Sequence, residues 1–497
     1  MNFMATQDKI KKLRIKKLES LKKVGWDGYP AQTKRDTEIA AALNNFDAWS
    51  KEERKIVIAG RIMSMRGQGG IAFVDLRDES GSIQLVFKKD SLKDFDRVGE
   101  FLDIGDFIEA GGYLFKTQRG EDSLFIESWK LLTKTLRPLP SEWYGLKDVE
   151  ERFRRRYLDL ILNDDVKKRL VLRSKIIQAI RDFLNSYGFL EVETPILQTL
   201  PGGALAKPFQ TKLNALNMDL YLRIAPELYL KRLIVAGFEK IYEIGRNFRN
   251  EGMDRSHNPE FTMLELYWAY QDYEGLMILV EDMFAFILNN AFSQTKNPLL
   301  VNINGNLVNF KKPWLRLEFK EVIRKYAGLD ADKAEAKEIL EKMKEHKIEI
   351  TKEHKKQDKW ELIDEVYKKI CLPNLIQPTF VIHLPAALSP LAKLRTENKE
   401  EVQRFLIAIG GMEAGNAFSE LNDPLDQDAR FREQEKKRRA GNEEASRYDK
   451  DFVEALEYGM PPTAGIGIGL DRLVILLTNA EGIKEVIFFP FMRKREK

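Results

Sequence analysis

Residues 248–267, FRNEGMDRSHNPEFTMLELY, bring together side chains that could do chemistry. Arg249, Glu251, His257 and Asn258 surround a Gly-Met-Asp-Arg-Ser turn, and an alternating segment follows. If KIYEIGRNFRNE is a strand, Glu243, Arg249 and Glu251 share a face, because strand side chains alternate with period two. If EFTMLELY is another, Phe261, Met263, Glu265 and Tyr267 share one. Joined through the turn at Gly252, the two would pair antiparallel and present a guanidinium, carboxylates, a phenyl ring and a phenol on one surface. A buried carboxylate is expensive unless paired, and an internal network of Arg249 with Glu251 or Glu243 would account for any one of these residues. It does not account for Glu227 in APELYLKR, or for Glu413 and Glu420 in GGMEAGNAFSELND, which lie in similarly apolar surroundings. Surplus acid in apolar settings predicts a site for cations.

Large elements must hold such a site. At about 150 residues per domain, the 497-residue chain suggests roughly three domains, and 43% hydrophobic with 32% charged residues suits globular cores. A single cysteine, Cys371, excludes internal disulfides and suits a reducing cytosol. Four histidines and one cysteine leave little material for structural zinc. No apolar run is long enough to span a bilayer, and MNFMATQDKIKK lacks the apolar core of a signal peptide, so the expected location is cytoplasmic.

Residues 1–54 read as a basic, helical extension. Lys9, Lys11, Lys12, Arg14, Lys16, Lys17, Lys22 and Lys23 crowd it, with Ile10, Leu13, Leu18 and Leu21 at near-helical spacing. The pattern fits a helix docked on its neighbour and equally one that contacts phosphates. Residues 55–137 hold short strands with turn punctuation and one charged, helical stretch (KKDSLKDFDRVGEFLDI), which suits a small Greek-key barrel of the OB type. Arg137-Pro138-Leu139-Pro140 opens a rigid linker, 138–150. From 151 to 497, helices (Lys167 to Tyr187, Tyr273 to Asn290) and strands (218–224, 239–249, 259–269) do not alternate regularly. They predict an α+β domain on a largely antiparallel sheet flanked by helices. The Lys/Glu/Ala-rich stretch 330–370 predicts helices packed outside that sheet, within an insertion at about 311–375.

At this point the residues resemble a known family. The chain is similar to class II aminoacyl-tRNA synthetases and, within them, to the bacterial type of lysyl-tRNA synthetases. GFLEVETPIL with PGGALAKPF resembles the first family signature, FRNE…HNPEFTMLELY the second and GIGIGLDRL the third. RIAPELYLKRL and GNAFSELND resemble segments particular to the lysine enzymes. The resemblance implies an OB-fold anticodon-binding domain ahead of a class II catalytic domain. It also implies a lysine–tRNA ligase reaction in two steps: ATP and L-lysine give lysyl-adenylate and pyrophosphate, then lysine passes to tRNA(Lys).

The resemblance also distributes roles. It implies that Arg249 bridges the α-phosphate and the substrate carboxylate, and that Arg472 grips the γ-phosphate. Glu251 would accept from the adenine amino group, Phe261 would stack on the base, and His257 with Asn258 would hold phosphates. His257 bracing the loop is the alternative. Glu413 and Glu420 match positions that hold Mg2+ on the phosphates. Gly203 and Glu227 would lie at lysine's α-ammonium, and Glu265, Tyr267, Asn416, Phe418 and Glu420 along its side chain. Glycines 465, 467 and 469 would let backbone approach the nucleotide. Phe73 and Gln84 match anticodon-reading positions, and Arg61 is expected as a further contact there. Where the family carries a further anticodon glutamate, this chain has Ser128, with Glu127 one place earlier and so on the opposite strand face unless a bulge intervenes. A homodimer contact is implied at 189–196. Rival readings are a family offshoot that lysylates a protein and an idle RNA-binding relative.

Overall fold

A computed structural model describes residues 2–140, 148–204, 206–351, 354, 357–439 and 447–495. Part of the expected linker (141–147), Leu205 of PGGALAKPF and four residues of the expected insertion (352, 353, 355 and 356) lie outside the described residues. The chain divides into two compact units, Met1–Lys147 and Asp148–Lys497.

In the first unit, β1 (Lys55–Gln68), β2 (Ile71–Arg77), β3 (Ser82–Lys88), β4 (Phe107–Lys116) and β5 (Asp122–Thr133) close into a barrel in the order β1-β2-β3-β5-β4. Closure is possible because β1 is long enough to pair with both β2 and β4, while β3 meets β5 in parallel. Ala72, Val74 and Leu76 point into the core, and Phe73, Asp75 and Arg77 take the outer positions. The helix Phe95–Phe101 buries Val98 and Phe101 in the same core. The basic segment forms the helix Asn2–Lys23. Its Arg14 is buried and donates to the carbonyl of Ile104 (2.9 Å) and those of Thr135 and Arg137 (both 3.2 Å). The helix is therefore docked, and Lys9, Lys12, Lys16, Lys22 and Lys23 remain exposed.

The second unit is built on β6 (Leu190–Glu191), a small sheet of β7 (Leu197–Gln198), β8 (Gln210–Leu213) and β9 (Met218–Leu222), then β10 (Lys240–Phe248) and β11 (Glu260–Ala269). A hairpin of β12 (Leu300–Ile303) and β13 (Asn306–Asn309) precedes β14 (Leu315–Glu318), β15 (Thr379–Ile382), β16 (Arg404–Ile409), β17 (Met412–Ser419) and β18 (Thr463–Gly469). Eight strands form one sheet, β14-β15-β16-β17-β18-β11-β10-β6, antiparallel except at the β14–β15 and β6–β10 ends. The helices Asp164–Ser186, Tyr273–Ala291 and Leu470–Thr478 cover one face, where Leu264, Leu266, Ala417, Ile466 and Ile468 meet Ile180, Phe284 and Leu473. That apolar face anchors the sheet, and truncating a wholly buried ring such as Phe284 costs about 3–5 kcal/mol. The alternate residues face the other way, into a cleft.

The segment 311–375 is not confined to the outside of the sheet. It supplies the edge strand β14, and its helices Phe319–Ala327, Ala336–Glu345 and Lys359–Val366 share a core with Val381, Leu406 and Ala408 of β15 and β16. The amphipathic pattern gave the helices; it carried no information on which apolar surface they would cover.

Candidate active site

Three neighbouring strands make the floor of a cleft of about 410 Å³. Their register puts Phe418, Gly465 and Tyr267 in one row and Asn416, Gly467 and Glu265 in the next. The central strand must carry glycine: a Cβ on Gly465 would lie 2.2 Å from Glu420 Oε1 and 2.5 Å from Tyr267 Cε1. Residues 416, 418 and 420 share the cleft face by strand alternation. Glu413 would face away, but Ala408 pairs with Glu413 and Ile407 with Gly415, so Ala414 is an extra, bulged residue. The bulge turns Glu413 back into the cleft. Every residue predicted for the catalytic domain's site lines this cleft, from Gly203 and Glu227 through Arg249, Glu265 and Glu413 to Arg472. Gly203 holds φ +85°, and a Cβ there would come within 2.9 Å of Glu227 Cβ.

One end is acidic. Glu227, Glu265 and Glu420 are all buried, with Tyr267 Oη donating to Glu265 at 3.2 Å. Among the described residues one buried lysine serves two of them. Lys231 Nζ lies 2.5 Å from an oxygen of Glu227 and 2.5 Å from one of Glu420. Burial opposes its charge, but the two carboxylates outweigh that and hold the ammonium above the ordinary lysine range. Glu420 Oε1 has no hydrogen-bond partner. Burial, reinforced by the charge of Glu227, pushes the Glu265 carboxyl up to about 8, against the pull of Tyr267 and Arg249. Burial raises Glu420 well above the carboxylate range too, despite Lys231. Protons here stand in for cations that the protein does not supply.

The other end is cationic. Arg249 lies over the Phe261 ring at 5.1 Å, and its Nε is buried without a hydrogen-bond partner. The alternative of an Arg249–Glu243 network does not form, because Glu243 is taken by Arg223 and by Thr194 Oγ1. Burial lowers the pKa of Arg249, and Glu251 opposes that shift. Arg472, in the first turn after β18, reaches His257 Nε2 at 2.8 Å and the carbonyl of Glu413 at 3.4 Å. Because a guanidinium only donates, His257 Nε2 accepts and its proton sits on Nδ1, 2.8 Å from Asp254. Both ring nitrogens are thus engaged, and His257 braces Arg472 where it was expected to grip phosphate itself. Asn258 spends its amide donor on the Glu260 carbonyl and keeps a buried, unpartnered Oδ1.

The pairing of Glu413 with Glu420 as joint metal ligands does not survive the geometry. They stand at opposite ends of β17, roughly 20 Å apart along an extended chain, and Glu420 is committed to Lys231. Only Glu413 lies beside Arg472. Among the described residues, one cluster has three ligand-type groups close together, Glu318, His383 and Glu401, and each is already bonded: His383 to Glu318 and Tyr273, Glu401 to Arg395 and Lys320.

Among the residues that sequence reasoning passed over are the buried Lys231 and three charged residues that line the cleft. Lys231 stands four places after Glu227 on one helix, a spacing that could have revealed it. Arg404 gave no signal; it donates to Asn416 Oδ1 at 2.8 Å and to the Leu388 carbonyl at 2.8 Å. Asp364 and Lys368 come from the 311–375 segment.

On the barrel, Phe73 takes an outer position with Arg66 over its ring at 5.6 Å. The other two predicted readers are already engaged. Gln84 is buried, donating to Glu121 at 2.9 Å and accepting from Ser123 at 3.2 Å. Arg61 donates to the Gly105 carbonyl at 3.1 Å and covers the Phe107 ring. β5 does bulge at Glu127, since Gly111 pairs with Ser128 and Gly112 with Ile126. Its carboxylate meets Lys55 at 2.7 Å.

Residues 148–493 match the family of tRNA synthetases class II (D, K and N), and residues 56–132 match the OB-fold nucleic acid binding domain. The chain belongs to the class II tRNA synthetases. Among its curated relatives, the Lysine--tRNA ligase of Pelotomaculum thermopropionicum is 48% identical over 492 residues, covering 98% of this chain and 96% of that protein. That of Carboxydothermus hydrogenoformans is 46% identical over 488 residues, covering 98% of each. No helix of the described residues is long and apolar enough to cross a membrane.

Proposed function

We propose that the chain is a lysine–tRNA ligase, acting in the cytoplasm on ATP, L-lysine and tRNA(Lys). The carrying observation is the acidic end: three buried carboxyl groups, two of which share one ammonium, with Glu420 Oε1 unpartnered. Such an end lacks two positive charges, and lysine brings two ammonium groups. Glu227 with Gly203 receives the α-ammonium; Glu265, Tyr267 and Glu420 receive the ε-ammonium, with Phe418 along the methylenes. Asn416, held by Arg404, and Arg249 take the carboxylate. Arg249 also neutralises the α-phosphate as the carboxylate oxygen bonds to phosphorus and pyrophosphate leaves, a reaction in which positioning and charge carry most of the catalysis. Arg472, braced by His257, grips the terminal phosphate, Phe261 stacks on adenine, and Glu251 accepts from its amino group. Mg2+ is held by one or two carboxylates plus substrate phosphates; Glu413 fits that part, and the ion would offset phosphate charge there. The barrel's Phe73 stacks an anticodon base. Exposed Leu190, Ile196 and Leu197 support a homodimer contact at 189–196.

ATP–pyrophosphate exchange tests the reading: lysine must drive it and aspartate or asparagine must not, and in a separate charging assay tRNA(Lys) must accept labelled lysine. A protein that lysylates other proteins would exchange but leave the tRNA uncharged. Lysine, ATP and magnesium together should raise the melting temperature more than any pair; a ligand at a hundredfold excess over its Kd stabilises by about 2.7 kcal/mol.

Glu265 supplies a pH test. Its folded pKa is raised, so its contribution to stability is fully present below the ordinary value of 4.5 and is lost as pH climbs through about 8. At neutral pH the empty site holds that proton, and an arriving ammonium displaces it. Calorimetry of lysine binding at pH 7 should therefore report proton release, seen as heats that change with the buffer's ionisation enthalpy. Identical heats in every buffer would contradict the assignment.

A further inference from the structure

The cleft contains one more cation, on a segment with no assigned role. The helix Lys359–Val366 passes into a π turn at Tyr367–Cys371, a rare geometry that recurs at functional sites. Tyr367 is wholly buried and packs on Phe319 with ring centroids 5.4 Å apart, which pins the turn. The next residue, Lys368, lines the cleft with 48% of its side-chain surface open, and its ammonium pairs with Asp364 at 2.6 Å. On a solvated helix such an i,i+4 pair contributes only about 0.2–0.5 kcal/mol and asks nothing of its surroundings. This pair instead borders the cationic end. After Asp364, the charge felt most strongly by Lys368 is that of Glu413, the carboxylate whose own carbonyl accepts from Arg472. Lys368, Glu413 and Arg472 thus line the same cleft, Lys368 from the 311–375 segment and Arg472 from the helix after β18.

We propose that Lys368 is a nucleotide-binding residue: its ammonium takes a β- or γ-phosphate oxygen of ATP and stays on the pyrophosphate as it departs. The inference rests on the nucleotide reading of the cationic end. Lys368 moves no proton. The lysine carboxylate oxygen bonds to the α-phosphorus, the bond from that phosphorus to the bridging oxygen breaks, and the bridging oxygen leaves with pyrophosphate. Asp364 holds the ammonium in place and tempers its charge while the cleft is empty. The 311–375 segment thereby becomes part of the catalytic wall.

Exchange kinetics on the full chain, run in both directions, test this. Lys368→Met should raise the KM for ATP and for pyrophosphate by about tenfold, the loss of one charge-assisted hydrogen bond, with the KM for lysine unchanged. Lys368→Arg should restore most of it, and calorimetric titration of ATP with magnesium should show the same weakening without turnover. Should Lys368→Met melt early, Asp364→Asn carries the test, because freeing the ammonium should lower the KM for pyrophosphate. Unchanged phosphate-side constants, or lysine and ATP constants moving in parallel, would overturn the proposal. Wild-type protein that fails to exchange with lysine would instead sink the lysine reading.

Discussion

Glu420→Gln raises the KM for lysine by about 10²–10³-fold and leaves that for ATP nearly unchanged, since losing one partner of a buried charge pair costs about 2–5 kcal/mol. The variant should fold normally. Burial already holds the Glu420 carboxyl well above the carboxylate range, so glutamine matches the neutral acid in shape. Only when an ammonium arrives does the missing charge matter. Lys231 retains Glu227 as its partner, so no stray cation is left behind. Rejection of ornithine should be weaker than rejection of an uncharged side chain, because one methylene is worth only about 1–3 kcal/mol. Exchange rates titrated against lysine and ATP separately decide the matter, and an equal rise in both constants would remove Glu420 from the lysine end.

Arg249→Gln should lower kcat for adenylate formation by about 10²–10³-fold, as removal of one preorganised donor to a charged transition state does. Lysine should not rescue it, because a point charge cannot bridge two anions as a planar guanidinium can. The same change should raise the melting temperature of the empty protein. Burial works against the charge on Arg249, and its Nε sits without a partner until substrate arrives, a form of the trade between activity and stability. Single-turnover kinetics beside thermal melts would test both halves, and a variant that melts lower and still forms adenylate would refute the assignment.

Much of this site was legible because strands advertise their faces. The run Phe261, Met263, Glu265, Tyr267 could be read from alternation alone, and β11 runs Glu260–Ala269 against an expected 259–269. The helix expected at Lys167 to Tyr187 spans Asp164–Ser186 for the same reason, a long periodic pattern. Pairings distant in sequence were not legible. Nothing near Lys231 names Glu420 as its partner, and nothing in YKKIC says that a π turn aims Lys368 at a cleft. The seven-residue spacing of Glu413 and Glu420 suggested a shared ion because a sequence interval carries no length until the backbone is known to be extended. Gln84 matched an anticodon position and Arg61 suited a contact beside it, yet side-chain identity does not reveal that Glu121, Ser123 and Gly105 already occupy their polar atoms.

The extra residue at Ala414 ties the fates of the two substrates together. Removing Ala414 would leave Glu413 two places before Asn416 in a regular strand, so the acid at the phosphates and the trio reading the amino acid would still look the same way. A replacement that flattened the bulge at constant length would instead turn Glu413 out of the cleft, and should weaken the hold on ATP while leaving lysine binding in place.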